Sequence, residues 1–291
     1  MKRFIFTMVA FFVIISQAFT QTGKDLKVFI SVDMEGITGV VNSEEVSRDG
    51  KDYDYFRKIM TNETNAAIEG AVAAGAKEIW VRDSHGTGRN ILPDILDKRA
   101  KLLRDWSGGY LSMMEGIDKT FDAVIFIGYH AKAGTPNATL EHTMSSVNIT
   151  DVSINGISLP EAGINALIAG YFNVPVVLLS GDKAICEQSK AIVGNIETVA
   201  VKENFGKATL NLHPEIARDK IRESVNSALQ NLKKYKPYTL NPPYKLVITL
   251  KTEDLVNEKS FYPGAKRTGD LELTYTSSDL MEVIKAFSFM H

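Results

Sequence analysis

Cysteine is almost missing from this 291-residue chain. Cys186 stands alone, so no disulfide forms within the chain and no cluster of thiolates is there to hold a metal. It follows an apolar run inside "SGDKAICEQSK", which reads as a buried helix thiol rather than a nucleophile. Net charge is also scarce. The 33 Lys and Arg against 35 Asp and Glu leave a formal −2, with both signs mixed along the chain. That excludes the basic footprint of a nucleic-acid binder or of a protein held on an anionic membrane surface. Repeats and low-complexity tracts are absent, and 44% hydrophobic with 23% charged residues is the composition of a folded globular protein with a sizeable core.

The one N-terminal apolar run, Phe4 to Ile15, is short for a bilayer span. Lys2 and Arg3 precede it, and "SQA", ending at Ala18, offers small residues for cleavage. Residues 1–20 are therefore expected to be a secretory signal, with an uncleaved anchor as the alternative. The mature protein is then exported, periplasmic or secreted, without stable membrane insertion.

Beyond residue 25, apolar runs alternate with helical patterns. The runs "KVFISV" (27–32), "KEIWVR" (77–82), "FDAVIFIGY" (121–129) and "VPVVLLSG" (174–181) are continuous and rich in β-branched residues, as in strands buried on both faces. Between the first two, Phe56, Ile59, Met60, Ala67, Ile68 and Ala71 recur at helical spacing, with Gly75 as a stop. "PEAGINALIAGYF" (160–172) predicts a second helix. This alternation implies an α/β fold, a three-layer α/β/α sandwich on a mostly parallel sheet. Residues 145–159 alternate instead and contain Asn155-Gly156, a hairpin signal. From about Phe205 the composition shifts to a helical stretch, a Pro-rich break, a strand-like "YKLVITLKT" and a final helix near Leu280 to Phe287. The expected organisation is a catalytic domain over 26–204 and a smaller C-terminal α+β portion over 205–291.

In a doubly wound sheet, ligands bind beyond the carboxyl ends of the strands. Those ends carry Asp33 and Glu35 in "SVDMEG", Asp83 and His85 in "DSHG", His130 in "GYHA" and Asp182 in "LSGD". Singly, each has a bland reading: turn acids, a loop histidine, a half-buried histidine. Together they bring imidazoles and carboxylates to one edge, a donor set suited to zinc or another divalent first-row metal. His142 ends a Gly- and Pro-containing loop of the kind that lines sites. Glu161 opens a helix, where the dipole alone would favour an acid. Asp182 is a weaker candidate, for a substrate ammonium or for orienting histidines. His213 and His291 read as surface or capping residues.

These motifs, with "HTM" at 142–144 and "PEAGINALIAGYFNVPVVLLSGD" at 160–182, resemble in the same order the zinc-dependent D-aminopeptidase family typified by the dipeptide-operon enzyme of bacilli, peptidase family M55. The resemblance runs through most of residues 26–290. It implies a two-zinc site with Asp33, Glu35, His85, His130 and Glu161 as ligands and Asp33 as the bridge, His142 as the catalytic histidine, and a ring-like homo-oligomer, a decamer. It departs in the loop between His130 and His142, which is slightly longer here, with Glu141 before the histidine, and this bears on substrate preference.

The function so implied is release of N-terminal D-amino acids such as D-Ala from small D-amino-acid-containing peptides, with His142 moving a proton, stabilising the oxyanion or attacking the carbonyl. Its rivals are an exported metal-dependent amidohydrolase of other specificity and a non-catalytic metal- or peptide-binding protein.

Overall fold

A computed structural model describes residues 25–291. The expected signal, residues 1–20, lies outside the described residues. No helix among them is long and apolar enough to cross a membrane.

The main sheet grows from the first strand. In β1 (Leu26–Val32), Val28, Ile30 and Val32 face one core while Phe29 faces the other, the period of two that an extended chain imposes. The chain then forms α1 (Tyr53–Ala73), β2 (Ala76–Asp83), β3 (Ala100–Leu103), β4 (Ala123–Tyr129), β5 (Ile149–Ile154), β6 (Ile157–Ser158), α2 (Glu161–Tyr171), β7 (Val176–Asp182), α3 (Lys183–Val193), β8 (Glu197–Phe205) and β9 (Ala208–Asn211). It closes with α4 (Pro214–Gln230), β10 (Tyr244–Leu250), α5 (Glu253–Lys259), β11 (Lys266–Arg267), β12 (Glu272–Ser277) and α6 (Leu280–Met290).

Seven strands make the main sheet in the order β3-β2-β1-β4-β7-β8-β9, all parallel except the β8–β9 hairpin. Helices α1 and α4 bury Phe56, Met60, Ile68, Ile221 and Val225 against one face. The other face packs on α2 and α3, and through α2 on a second, antiparallel sheet ordered β11-β12-β10-β5-β6 and on α6. The expected α/β fold with a mostly parallel sheet is the observed one. The Asn155-Gly156 turn joins β5 to β6 with both residues at positive φ, the geometry of a two-residue hairpin.

The second sheet does not begin at the expected boundary. Residue 205 lies in the β8–β9 hairpin of the main sheet, α4 packs on α1, and β10 pairs with β5, about a hundred residues earlier in the chain. The compositional shift near Phe205 marks a hairpin that finishes one sheet, not a seam between two bodies.

Strand order reverses between β1 and β4, because the chain leaves β1 toward β2 on one side and returns to β4 on the other. That switch point opens a crevice at the carboxyl edge. Here the loop after β1 lies directly on β4: Asp33 N–H donates to Ile127 O at 2.8 Å and Gly36 N–H to Gly128 O at 2.8 Å. A Cβ on Gly36 would fall 1.8 Å from Tyr129 O, so only glycine lets the acid-bearing loop approach this closely.

Candidate metal centre and active site

Three parallel strands and one helix deliver chemistry to the switch point. Asp33 and Glu35 follow β1, His85 follows β2, His130 follows β4 and Glu161 is the first residue of α2. All five are buried, and His142 is half-buried beside them. Their ligand-type atoms gather in groups within 4.8 Å: Asp33 with Glu35 and His85, Asp33 with His130 and Glu161, and Glu35 with His130 and His142. Asp33 belongs to two of these groups, one around each buried histidine.

The imidazoles are held in defined tautomers. His85 Nε2 lies 2.9 Å from Val46 O, His130 Nδ1 is 3.0 Å from Ala131 O, and His142 Nδ1 is 2.9 Å from Leu140 O. A carbonyl oxygen only accepts, so each of those nitrogens carries a proton and the opposite nitrogen is free. The free nitrogens point at carboxylates. His85 Nδ1 is 3.2 Å from Asp33 Oδ1 and 2.9 Å from Glu35 Oε2; His130 Nε2 is 3.4 Å from Asp33 Oδ2 and 3.5 Å from Glu161 Oε2. Neither Glu35 Oε2 nor His130 Nε2 has a properly aligned hydrogen-bond partner, although both are fully buried atoms. Lone pairs facing carboxylates in a dry site are repulsive unless protons or cations intervene, so this donor set fits divalent metal.

Without an ion, protons take that role. Burial opposes charge on His85 and His130, but Glu35 and Asp33 around the first and Glu161 around the second outweigh it, and both are raised well above the usual histidine range. Burial likewise works against ionised Glu35 and Glu161. The facing imidazoles win, holding Glu35 well below the carboxylate range and Glu161 at about 2. Asp33 is pushed well up by burial and by Glu35, as expected for an acid squeezed between two others.

His142 stacks on His130 with ring centroids 4.2 Å apart and brings Nε2 to 3.5 Å from Glu161 Oε1. Its loop is strained where it turns toward the site, with Leu140 and Met144 at positive φ. Met144 N–H donates to Glu161 Oε1 at 2.7 Å, tying that loop to α2.

Three comparisons with known proteins bear on this geometry. The family model for D-aminopeptidases, peptidase family M55, matches residues 26–289. The chain belongs to the D-aminopeptidase family. A D-aminopeptidase of Bacillus subtilis strain 168 is 33% identical over 271 residues, which cover 91% of this chain and 96% of that protein. The solved structure of the zinc-dependent D-aminopeptidase DppA from Bacillus subtilis, a self-compartmentalizing protease, matches with a TM-score of 0.87 at 32% identity, again over 91% of this chain and 96% of that one.

In this D-aminopeptidase family member, other strand-end residues turn out to be supports. Asp83 does not join His85 in the cleft. Its carboxylate accepts from Asn90 N, Asn90 Nδ2 and Ile91 N at 2.6–2.7 Å and so closes the loop that carries His85. Asp182 caps α3 through Ile185 N at 2.9 Å and takes Ala131 N–H at 3.1 Å, fixing the residue after His130. His213 caps α4. His291, expected outside the constellation, instead lines the cleft with Asp33, Glu161, Trp106 and Met113. Nothing local in the sequence signals this, because α6 reaches the site only through the packing of the second sheet.

Also unforeseen was a buried polar cluster beneath the acids. Ser31 Oγ bonds Ser84 Oγ and Tyr129 Oη, each at 2.8 Å, and Asn165 Nδ2 donates to Tyr129 Oη at 3.0 Å. It ties β1, the loop after β2, β4 and α2 together beneath their functional side chains. Alternating polar residues within apolar strands, Ser31 in "FISVD" above all, were the available signal.

Proposed function

We propose that this chain is a di-zinc aminopeptidase that releases N-terminal D-residues such as D-Ala from small peptides. Asp33, Glu35, His85, His130 and Glu161 would hold the ions, Asp33 being common to the groups around His85 and His130. The observation that carries this reading is the orientation of the histidines, each ring giving one nitrogen to a backbone carbonyl and turning the other toward buried carboxylates. The zinc dependence of the Bacillus subtilis structure supports the choice of metal. Zinc bound there supplies Lewis acidity at the scissile carbonyl and makes water a better nucleophile at neutral pH.

The chain's own residues do the remaining work. His142 presents Nε2 as the proton acceptor, because Nδ1 is committed to Leu140 O. Glu161 Oε1, 3.5 Å away, favours the imidazolium that forms and holds the proton until the leaving amine takes it. Trp106 and Met113 wall off an apolar face for a small side chain.

The reading extends to export, supported by Lys2, Arg3 and the apolar run after them, and to a ring-like homo-oligomer. The self-compartmentalizing relative supports the latter, as do exposed apolar side chains at Phe205, Leu210, Phe261 and Phe289. The test is elemental analysis together with hydrolysis of D-Ala-D-Ala before and after chelation. Two zinc ions per chain, with activity lost on chelation and regained with zinc, are expected. Activity that survives complete metal removal would overturn the reading, and metal with bound peptide but no turnover would make the chain a binding protein.

A further inference from the structure

The cleft has two lobes that meet at Glu35, His85, Gly86 and His142. The first, of about 300 Å³, contains Asp33 and Glu161 and is the end that would hold the metal. The second, of about 400 Å³, is lined by Arg48 and by the hydroxyls of Ser43, Ser47, Thr87 and Ser146, and shared Glu35 is its only acid. We propose that the second lobe receives the substrate's C-terminal carboxylate and that Arg48 pairs with it, making peptides with a free carboxylate the preferred substrates. This deepens the aminopeptidase reading and rests on it.

Three observations support the assignment. Arg48 has no ion-pair partner among the described residues, so its guanidinium is available to an incoming anion. The surface beyond it is basic: a neighbouring cavity is lined by Arg48, Arg57, Arg89 and Arg104 against a single acid, Asp54. Arg48 is also anchored to the site, because Val46, two residues before it, gives its carbonyl to His85 Nε2 at 2.9 Å.

With the scissile carbonyl at the junction, beside the residues that would hold the metal, the leaving part of the peptide lies along the second lobe and carries its carboxylate toward Arg48. A carboxylate meeting an arginine there forms charge-assisted, two-point hydrogen bonds.

The test compares kcat/KM for D-Ala-D-Ala and its C-terminal amide, using the full metal-replete protein and its Arg48→Gln and Arg48→Lys variants. The wild type is expected to prefer the free acid by roughly 10- to 100-fold, through KM, as hydrogen bonds to charged groups imply. That ratio falls toward unity in Arg48→Gln and is partly restored in Arg48→Lys. Equal rates for acid and amide in the wild type, or an undiminished preference in Arg48→Gln, would overturn the proposal. If the wild type hydrolyses neither peptide, the aminopeptidase reading itself falls. Calorimetric binding of the same two peptides then decides the role of Arg48, with equal affinities overturning it and a preference for the acid that disappears in Arg48→Gln upholding it.

Discussion

Two stacked imidazoles, His130 and His142, divide their labour by burial. His130 is sealed between Asp33 and Glu161, whereas His142 keeps an edge open to the cleft. His142→Ala is therefore expected to keep its zinc and its fold while losing about 10²- to 10⁴-fold in kcat, the usual contribution of a general acid or base. Metal content and kcat measured on one preparation check this, and full activity would remove His142 from the reaction. A second residue-scale consequence concerns Glu63, which accepts Thr38 N–H at 2.9 Å and so holds the loop bearing Glu35. Burial pushes Glu63 up to about 7. A folded-state value above the unfolded one means the folded chain binds more protons across pH 4.5–7, so this group's contribution to stability is present at low pH and lost as pH rises through that window. Glu63→Gln keeps the acceptor and removes the titration. The stability difference between pH 5 and pH 7.5 in urea unfolding is expected to shrink by about 1–3 kcal/mol in the variant, and an unchanged difference would contradict this. Nearby Lys202, itself lowered to about 8 by burial, donates to Glu35 O and Val40 O from the other side of the loop. At this scale the strand-end acids and histidines were legible, because each follows an apolar run directly. The supporting roles of Asp83, Asp182, Glu63 and Lys202 were not, since a buried polar residue advertises its partner only once the chain is folded.

The element that matters most is the loop between β1 and α1, a short bridge laid on the backbone of β4. Its geometry explains why an apolar strand runs into two carboxylates and then a glycine. The acids must reach the switch point, and Gly36 must pass Tyr129 O without a Cβ. Gly36→Ala lifts this loop off β4. We expect a loss of at least about 2 kcal/mol, typical of overpacking against fixed backbone, together with weakened zinc affinity in a chelator competition. Wild-type stability and affinity in the variant would show that the loop does not set the site. The four central parallel strands, α1, α2 and the β5–β6 hairpin were readable from period and turn chemistry. The edge strands β3, β9 and β11 were not, being short with mixed exposure, and neither was the pairing of β10 with β5, which depends on contacts remote in sequence. His291 escaped notice for the same reason, as the helix that carries it is placed by that second sheet.

At the scale of the whole molecule, one sheet edge gathers the acids and histidines, a second sheet and its helix close the cleft with His291, and the basic segment around Arg48 forms its far end. The alternation of β and α in the sequence was enough to place the site at the carboxyl edge. The concentration of arginines at the far end was not visible there, because a net charge of −2 hides a local cluster of one sign. The function proposed for this cleft is hydrolysis of peptides beginning with a D-residue. The most direct measurement is kcat/KM for D-Ala-D-Ala beside L-Ala-L-Ala with the zinc-replete full protein. Cleavage of the D-peptide with little or none of the L-peptide is the expected result, and equal cleavage of both, or cleavage of the L-peptide alone, would contradict it.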